Sequence, residues 1–308
     1  MGRRRNKGRP VTGVLLLDKP RGLTSNKALQ RAKALFDARK AGHTGSLDPL
    51  ATGALPLCFG EATKVSGFLL DADKSYRVTA RFGVVTDTGD ADGEVIERRD
   101  VPALAVSTVQ SAADGLTGEM EQVPPMYSAV KQGGKRLYEL ARAGQSVERQ
   151  ARRVTVYDFQ LLELGDGTAE FHVHCAKGTY IRTLIEDLGE QLGVGAHVAA
   201  LRRTAVPPFD ADTRLVTLDE LERLSEAAGH EALDALLMTM DTALVDYPAV
   251  QLNDDLARYL RHGQAVWMPH GPAPGWVRLY DPEAHFIGMG EALDDARVAP
   301  RRLMHGGG

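Results

Sequence analysis

SYRVTARFG, residues 75–83, alternates strictly: Tyr76, Val78, Ala80 and Phe82 fall on one side of an extended chain, Arg77, Thr79 and Arg81 on the other. Successive side chains of a strand point to opposite faces, so this stretch predicts a half-buried strand with Tyr76 on its core side. A sheet is therefore the framework. Toward the amino terminus, ALPLCFG (54–60) and GVLLLD (13–18) are short apolar runs that read as buried strands. Between them Thr24 or Ser25 is placed to cap a helix running to about Phe36, and EATKVSGFLLDAD (61–73) reads as a helix. Toward the carboxyl terminus, VTVYDFQLLEL and EFHVHCA predict two more strands. After them Thr179 is the expected cap of a helix with Ile181, Leu184, Ile185, Leu188 and Leu192 at helical spacing. The expected class is α+β, with a mixed, mostly antiparallel central sheet flanked by helices.

Beyond Tyr247-Pro248 the texture changes. One helix around 254–262 is followed by short strand-like pieces, AVWMP, WVRLY and HFIGMGEAL, separated by glycine and proline. A small β-rich unit is expected there, and the preceding 212–247 reads as helical.

At 308 residues the chain is long enough for one large domain and a smaller one, and folding a chain of this size buries about three quarters of its unfolded surface. Composition is that of an ordinary globular protein, with 43% hydrophobic and 25% charged residues. No stretch approaches the roughly 20 apolar residues that span a bilayer, and MGRRRNKGRP lacks the apolar core of a signal peptide, so the expectation is a cytoplasmic protein without a membrane partner. Cys58 and Cys175 stand apart and are expected to be buried thiols.

The net charge of −4 hides a segregated distribution. Five cations lie within residues 3–9. Seven lie within 131–153 (Lys131, Lys135, Arg136, Arg142, Arg149, Arg152, Arg153) against Glu139 and Glu148, while 212–255 carries eleven acids against Arg214 and Arg223. One segment is suited to phosphate and another to solvent, although two solvated faces would account equally well for the pattern.

Three apparent motifs fail on spacing. GGKR (133–136) lacks the earlier glycine of a phosphate loop, since Ala129 stands there. DTGDADGE (87–94) ends, in the only workable frame, on Arg99 where a calcium loop needs a bidentate glutamate. His172 and His174 share one side of a strand but have no evident third ligand, so no metal is expected.

AGHTGSLDPLATG (41–53) is too broken for a helix or a strand. Proline restricts the backbone of Asp48, and Gly45 and Gly53 allow sharp turns around it, so Asp48 is either a turn residue or a carboxylate held out for chemistry. Arg182 is the second anomaly: it lies in the first turn of its helix, the end where the dipole disfavours a cation. Glu186, four residues on, is a weak partner in this order. An anion from elsewhere is required at least as strongly, and Asp48 is a candidate.

DKPRGLTS (18–25), GHTGSLDPLATG (42–53), KSYRVTARFG (74–83), PPMYSAVKQGGKRLYELARAG (124–144) and CAKGTYIRTLIEDLG (175–189) together resemble, in order, the signatures of TruB-type tRNA pseudouridine synthases. The resemblance spans about residues 10–210, and the tail is similar to a PUA-like RNA-binding domain. It implies a basic N-terminal arm (1–10), a catalytic domain (11–247) with an RNA-clamping insertion (124–153), and a PUA-like domain (248–308). The implied reaction is isomerisation of the uridine at position 55, in the T loop of tRNA, to pseudouridine, with the base flipped out and no cofactor. Asp48 matches the catalytic aspartate, acting at ribose C1′, at base C6 or on the C2′ proton, and Arg182 the arginine that holds it charged. Tyr76, which strand pattern alone makes a core residue, matches the tyrosine that stacks on the flipped base and takes part in removing the C5 proton. His43 matches the residue filling the vacated space, Tyr180 and Leu201 line the uridine pocket, and Lys19 and Pro20 support the loop. Lys131, Lys135, Arg136, Arg142, Arg152 and Arg153 are the expected RNA-binding cations, and the acidic 212–255 segment is expected to stay off the RNA. The protein is expected to act as a monomer without a protein partner. Competing readings are a guide-RNA-dependent, dyskerin-like synthase, a tRNA-folding chaperone with secondary catalysis, and a glycosylase or nucleoside hydrolase that releases the base.

Overall fold

The Lys74–Phe82 strand lies in the middle of a nine-stranded sheet, buried at Tyr76, Val78, Ala80 and Phe82 and exposed at Arg77 and Arg81 as its alternation requires. The protein is seen here as a computed structural model that describes residues 8–304 except Ala129, Ala143 and Ser146; Arg3, Arg4, Arg5 and Lys7 lie outside the described residues. The sheet runs in the order Val216–Thr217, Gly13–Lys19, Thr52–Phe59, Ala196–Ala205, Lys74–Phe82, Thr168–Cys175, Arg152–Gly165, Gly118–Gln122, with Ala41–His43 paired to Thr52–Phe59. Two of its pairings are parallel, those of Gly13–Lys19 with Val216–Thr217 and of Thr52–Phe59 with Ala196–Ala205. The others are antiparallel.

The continuous apolar runs are explained by burial on both faces. Leu15, Leu17, Leu55 and Leu57 join the main core with Val78, Phe171 and Leu184, while Val14, Leu16, Ala54 and Cys58 form a second cluster with Leu69 and Phe209. Helix Ser25–Leu35 packs on Leu218–Asp234, Ile181–Gln191 on the Ala196–Ala205 strand, and Val106–Asp114 on Arg152–Gly165. Both cysteines are buried free thiols, each pushed up to about 12 by burial.

The edge of Thr52–Phe59 away from Gly13–Lys19 is shared. Ala41–His43 pairs with its far end (Leu57 to Phe59) and Ala196–Ala205 with its near end (Thr52 and Gly53). Residues 44–51 join Ala41–His43 to the start of Thr52–Phe59, so sheet pairing fixes both ends of the loop. At the near end a Cβ on Gly53 would lie 2.2 Å from the carbonyl oxygen of Arg203, and Gly53 has φ +99°. Gly53→Ala is therefore expected to destabilise the protein by about 3 kcal/mol or more, read by urea unfolding.

Residues 249–303 form a second, five-stranded sheet in the order Ala249–Gln251, Gly275–Tyr280, Phe286–Ala292, Arg297–Leu303, Val266–Trp267, with helix Asp254–Arg261 capped by Asn253. It has a separate core that includes Val250, Leu260, Val277, Leu279 and Val298. Phe68 stacks edge-on against Tyr247 and Trp276, and the Lys64 ammonium donates to the Leu303 carbonyl, joining this sheet to the larger one. Among the described residues no helix is long and apolar enough to cross a membrane.

Several local expectations are corrected. Residues 61–73 are not one helix but a 3-10 turn, Gly60–Lys64, followed by Ser66–Asp71. Tyr180, not Thr179, is the N-cap residue of Ile181–Gln191, and no side chain caps it in the usual way. Within 212–247 the helix Leu218–Asp234 is kinked at Gly229, and a 3-10 turn, Met240–Leu244, follows it. The acidity of this segment is partly met by cations: Arg31 pairs with Glu222, Arg214 with Glu220, and Arg9 with Asp234.

Candidate active site

The Asp48 loop is held by bonds that leave its carboxylate outward. Ser25, a candidate cap by sequence, instead bonds Leu47 through both backbone groups, accepting from its N–H at 2.7 Å and donating to its carbonyl at 3.1 Å. Thr24 caps the helix. The buried Lys19 ammonium donates to the carbonyls of Pro20 (2.8 Å), Pro49 (3.4 Å) and Ala51 (2.6 Å), and the Gly22 N–H also donates to Pro49. Leu47, Leu50 and Ala51 are buried beneath. A loop held at the carbonyls of Leu47, Pro49 and Ala51 and buried at Leu47, Leu50 and Ala51 has few conformations left, so Asp48 is fixed in direction.

Asp48 supplies the anion partner that the helix position of Arg182 called for. Its Nε lies 2.9 Å from Asp48 Oδ2, while Nη1 donates to the Thr88 carbonyl at 2.8 Å and Nη2 to the Tyr127 carbonyl at 2.6 Å. The guanidinium is 5% exposed and the Asp48 side chain 39% exposed, so the pair has a sealed side and an open side. Asp90 is a second carboxylate, 3.7 Å from the same Nε and 7% exposed, and the Thr88 hydroxyl holds it at 2.7 Å. Sequence reading missed it because Asp90 lies in the acidic turn that failed as a calcium loop.

Burial and then Asp90 push the Asp48 carboxyl above the usual carboxylate range, and Arg182 opposes them. The arginine thus limits a rise rather than producing a depressed value. Glu186 packs against Gly89 instead of pairing with Arg182, and burial pushes it up to about 7.

The remaining residues surround this pair unequally. Tyr76 is 9% exposed and belongs to the main core; it faces Arg203 across the antiparallel pair, and Leu201 faces Val78 on the same side. Tyr180 precedes the Arg182 helix, its backbone N–H and carbonyl both bonded by the Gln122 amide at 2.9 and 3.2 Å. His43, half-buried opposite Leu57, is held toward its neutral form by burial and then by Arg203.

The basic insertion contributes a hairpin, Lys131–Gln132 with Lys135–Arg136, and the helix Leu137–Arg142. The side chains of Lys131, Lys135, Arg136 and Arg142 lie outside the described residues. Arg152 and Arg153 are exposed on a sheet strand, Arg153 beside Glu119 at 3.7 Å. Arg149 is turned inward, donating to the Pro124 carbonyl at 3.0 Å. His172 is paired with Asp158 and His174 lies against the Tyr157 ring. A cavity of about 330 Å³ lined by Arg9, Val11, Asp234 and Met238 shares no residue with the Asp48 site.

Residues 33–181 match the TruB family pseudouridylate synthase N-terminal domain. Residues 182–245 match the tRNA pseudouridylate synthase B C-terminal domain, and 248–304 the C-terminal unit of pseudouridine synthase II TruB. A tRNA pseudouridine synthase B of Nitrosococcus oceani is 56% identical over 301 residues, covering 98% of this chain and 97% of the relative. One of Pseudomonas aeruginosa is 54% identical over 296 residues, covering 96% and 97%. A chain in the crystal structure of a Cbf5-Nop10-Gar1 complex is similar at TM-score 0.71 and 30% identity, with 92% of this chain and 79% of that one covered. A chain in an H/ACA RNP bound to a substrate RNA containing 2′-deoxyuridine is similar at TM-score 0.73 and 25% identity, covering 99% and 92%.

Proposed function

Because the chain belongs to the TruB family of pseudouridylate synthases, we propose that its target in tRNA is the uridine at position 55 of the T loop and that Asp48 is the catalytic carboxylate. The enzyme is a tRNA pseudouridine synthase, an isomerase. In the reaction the N1–C1′ bond breaks, the uracil turns, C5 bonds to C1′, C5 loses its proton and N1 gains one. Reactant and product have the same atoms, so the chemistry calls for no oxidant, reductant or energy-supplying co-reactant.

The observation that carries this reading is the one-sided Asp48–Arg182 pair: a directed carboxylate, held charged from its sealed side and open on the other. Such a group is suited to attack at C1′ or C6 or to removal of the C2′ proton. A nucleotide inside a folded loop must be extruded to reach it. Tyr76, Tyr180 and Leu201 would receive the uracil, His43 in its neutral form would fill the vacated stack, and Lys19 and Pro20 would support the loop. Residues 11–247 would form the catalytic unit, with 124–153 closing over the T-loop arm and ordering on it. Residues 248–308 would form a PUA-like RNA-binding unit. The protein would work in the cytoplasm as a monomer without a protein partner.

The test is tritium release from tRNA carrying [5-³H]uridine, using the isolated protein. Stoichiometric release without free uracil supports the reading; free uracil would indicate a hydrolase, and no release without added protein or guide RNA would indicate a dyskerin-like system. Phosphate contacts should make binding strongly salt-dependent. Arg152→Glu is expected to weaken tRNA binding about tenfold at moderate salt and to flatten the salt slope, with little change in the single-turnover rate at saturation.

A further inference from the structure

Among the described residues Arg203 is the largest side chain shut away from solvent, 1% exposed, and it forms no salt bridge with a carboxylate there. A buried charge without a counter-ion is costly, so its fork must answer other needs. Nε donates to the Ala54 carbonyl at 2.7 Å and Nη2 to the Gly45 carbonyl at 3.2 Å. One is on the strand leaving the Asp48 loop, the other within the stretch entering it. Tyr76 is the residue directly opposite Arg203 across the sheet, and both are buried. Directly opposed residues of an antiparallel pair share a face, which fixes this meeting by register.

We propose that Arg203 is a positioning residue for the isomerisation, holding the Tyr76 phenol in place against the flipped base and tying it to the Gly45 side of the loop that carries Asp48. The inference rests on the reading of Tyr76 as the residue that faces the uracil. A guanidinium has only donors, so in the contact we infer the Tyr76 oxygen accepts and the phenol's own O–H is left for another partner. The Ala54 and Gly45 carbonyls use two of the guanidinium's five N–H donors, leaving donors for the phenol across the sheet. Lys74 lies beside the same space, its Cε 3.8 Å from where a Gly45 Cβ would sit and Arg203 Nη1 3.3 Å from it. Its ammonium is already occupied by the Leu70 and Ala72 carbonyls. It does not duplicate the contact to Tyr76.

The test is a double-mutant cycle on the single-turnover rate with tRNA saturated. Arg203→Met is expected to slow the step about 100-fold with the tRNA dissociation constant within about threefold of the starting protein. In a Tyr76→Phe background the same replacement is expected to cost less than about threefold, because the contact it removes is already gone. Arg203→Lys keeps the charge but not the planar fork; it is expected to bind tRNA normally and stay at least about tenfold slow. If Arg203→Met does not fold, the cycle is run with Arg203→Lys. Equal losses in both backgrounds, or a wild-type rate in either folded variant, would overturn the inference while leaving the proposed function intact. A wild-type rate in Tyr76→Phe would instead remove the role of Tyr76, and the inference with it.

Discussion

Asp48→Asn is expected to reduce single-turnover isomerisation by about four orders of magnitude or more, the scale on which loss of an essential carboxylate or nucleophile falls, with tRNA affinity nearly unchanged. The replacement is close in shape, and apart from the pair with Arg182 the bonds that hold the loop do not use the Asp48 carboxylate: Ser25, Lys19 and Gly22 act on the backbone of Leu47, Pro49 and Ala51 or on Pro20. What is lost is the charge and the basic oxygen. Binding is expected to persist because RNA affinity is carried by cations spread over other surfaces. A loss shared equally between affinity and rate would mean that Asp48 holds the loop rather than doing chemistry. Equilibrium binding to the same tRNA and rapid-quench kinetics read the two separately.

Arg182→Met is expected to have the next largest effect. It strips the sealed side of the site at once: Asp48 and Asp90 lose the cation between them, and the carbonyls of Thr88 and Tyr127 lose their donor. Breaking a buried pair by removing one partner costs about 3–5 kcal/mol, and the 39% exposure of Asp48 places this case toward the lower end. Activity should fall about 100- to 1000-fold, the order seen when a group fixing transition-state charge is removed. The sign of the pH effect follows from the site. Asp48 is protonated below its pKa and active above it, and burial already raises that pKa, so the acid limb of the rate lies above the ordinary carboxylate range. Without Arg182, the main influence opposing the rise, the limb should move to still higher pH. A limb that stays in place would detach Arg182 from the ionisation of Asp48.

Much of this site was legible because its signals are local. The alternation at 75–83 set the sheet, and the glycine-bounded Asp48-Pro49 marked a constrained turn. Arg182 was legible as a misfit at a helix start, a conflict between local rule and residue that tertiary structure resolves with Asp48. What escaped depends on partners far along the chain. The strand Ala196–Ala205 has no clean alternation and carries Arg202 and Arg203; Arg203 is buried with its fork donating to the carbonyls of Ala54 and Gly45, from distant segments. Arg297–Leu303 was hidden by Pro300 and three arginines; the strand tolerates the proline because Val266–Trp267 pairs only with Val298 and Arg297, and the pairing with Phe286–Ala292 shifts register next to Pro300. Thr179 was chosen as a cap by its hydroxyl, yet the Gln122 amide, 58 residues away, engages the backbone of Tyr180 at that helix start. Asp90 needed the Arg182 guanidinium beside it to be distinguished from its acidic neighbours.

The most direct measurement is made with the isolated protein and an unmodified tRNA transcript: carbodiimide labelling, mild alkali, and primer extension through the T loop. The predicted result is a single new stop reporting pseudouridine at position 55 with the starting protein and none with Asp48→Asn bound to the same tRNA. A stop of equal strength with Asp48→Asn, or modification only at another uridine, would contradict it.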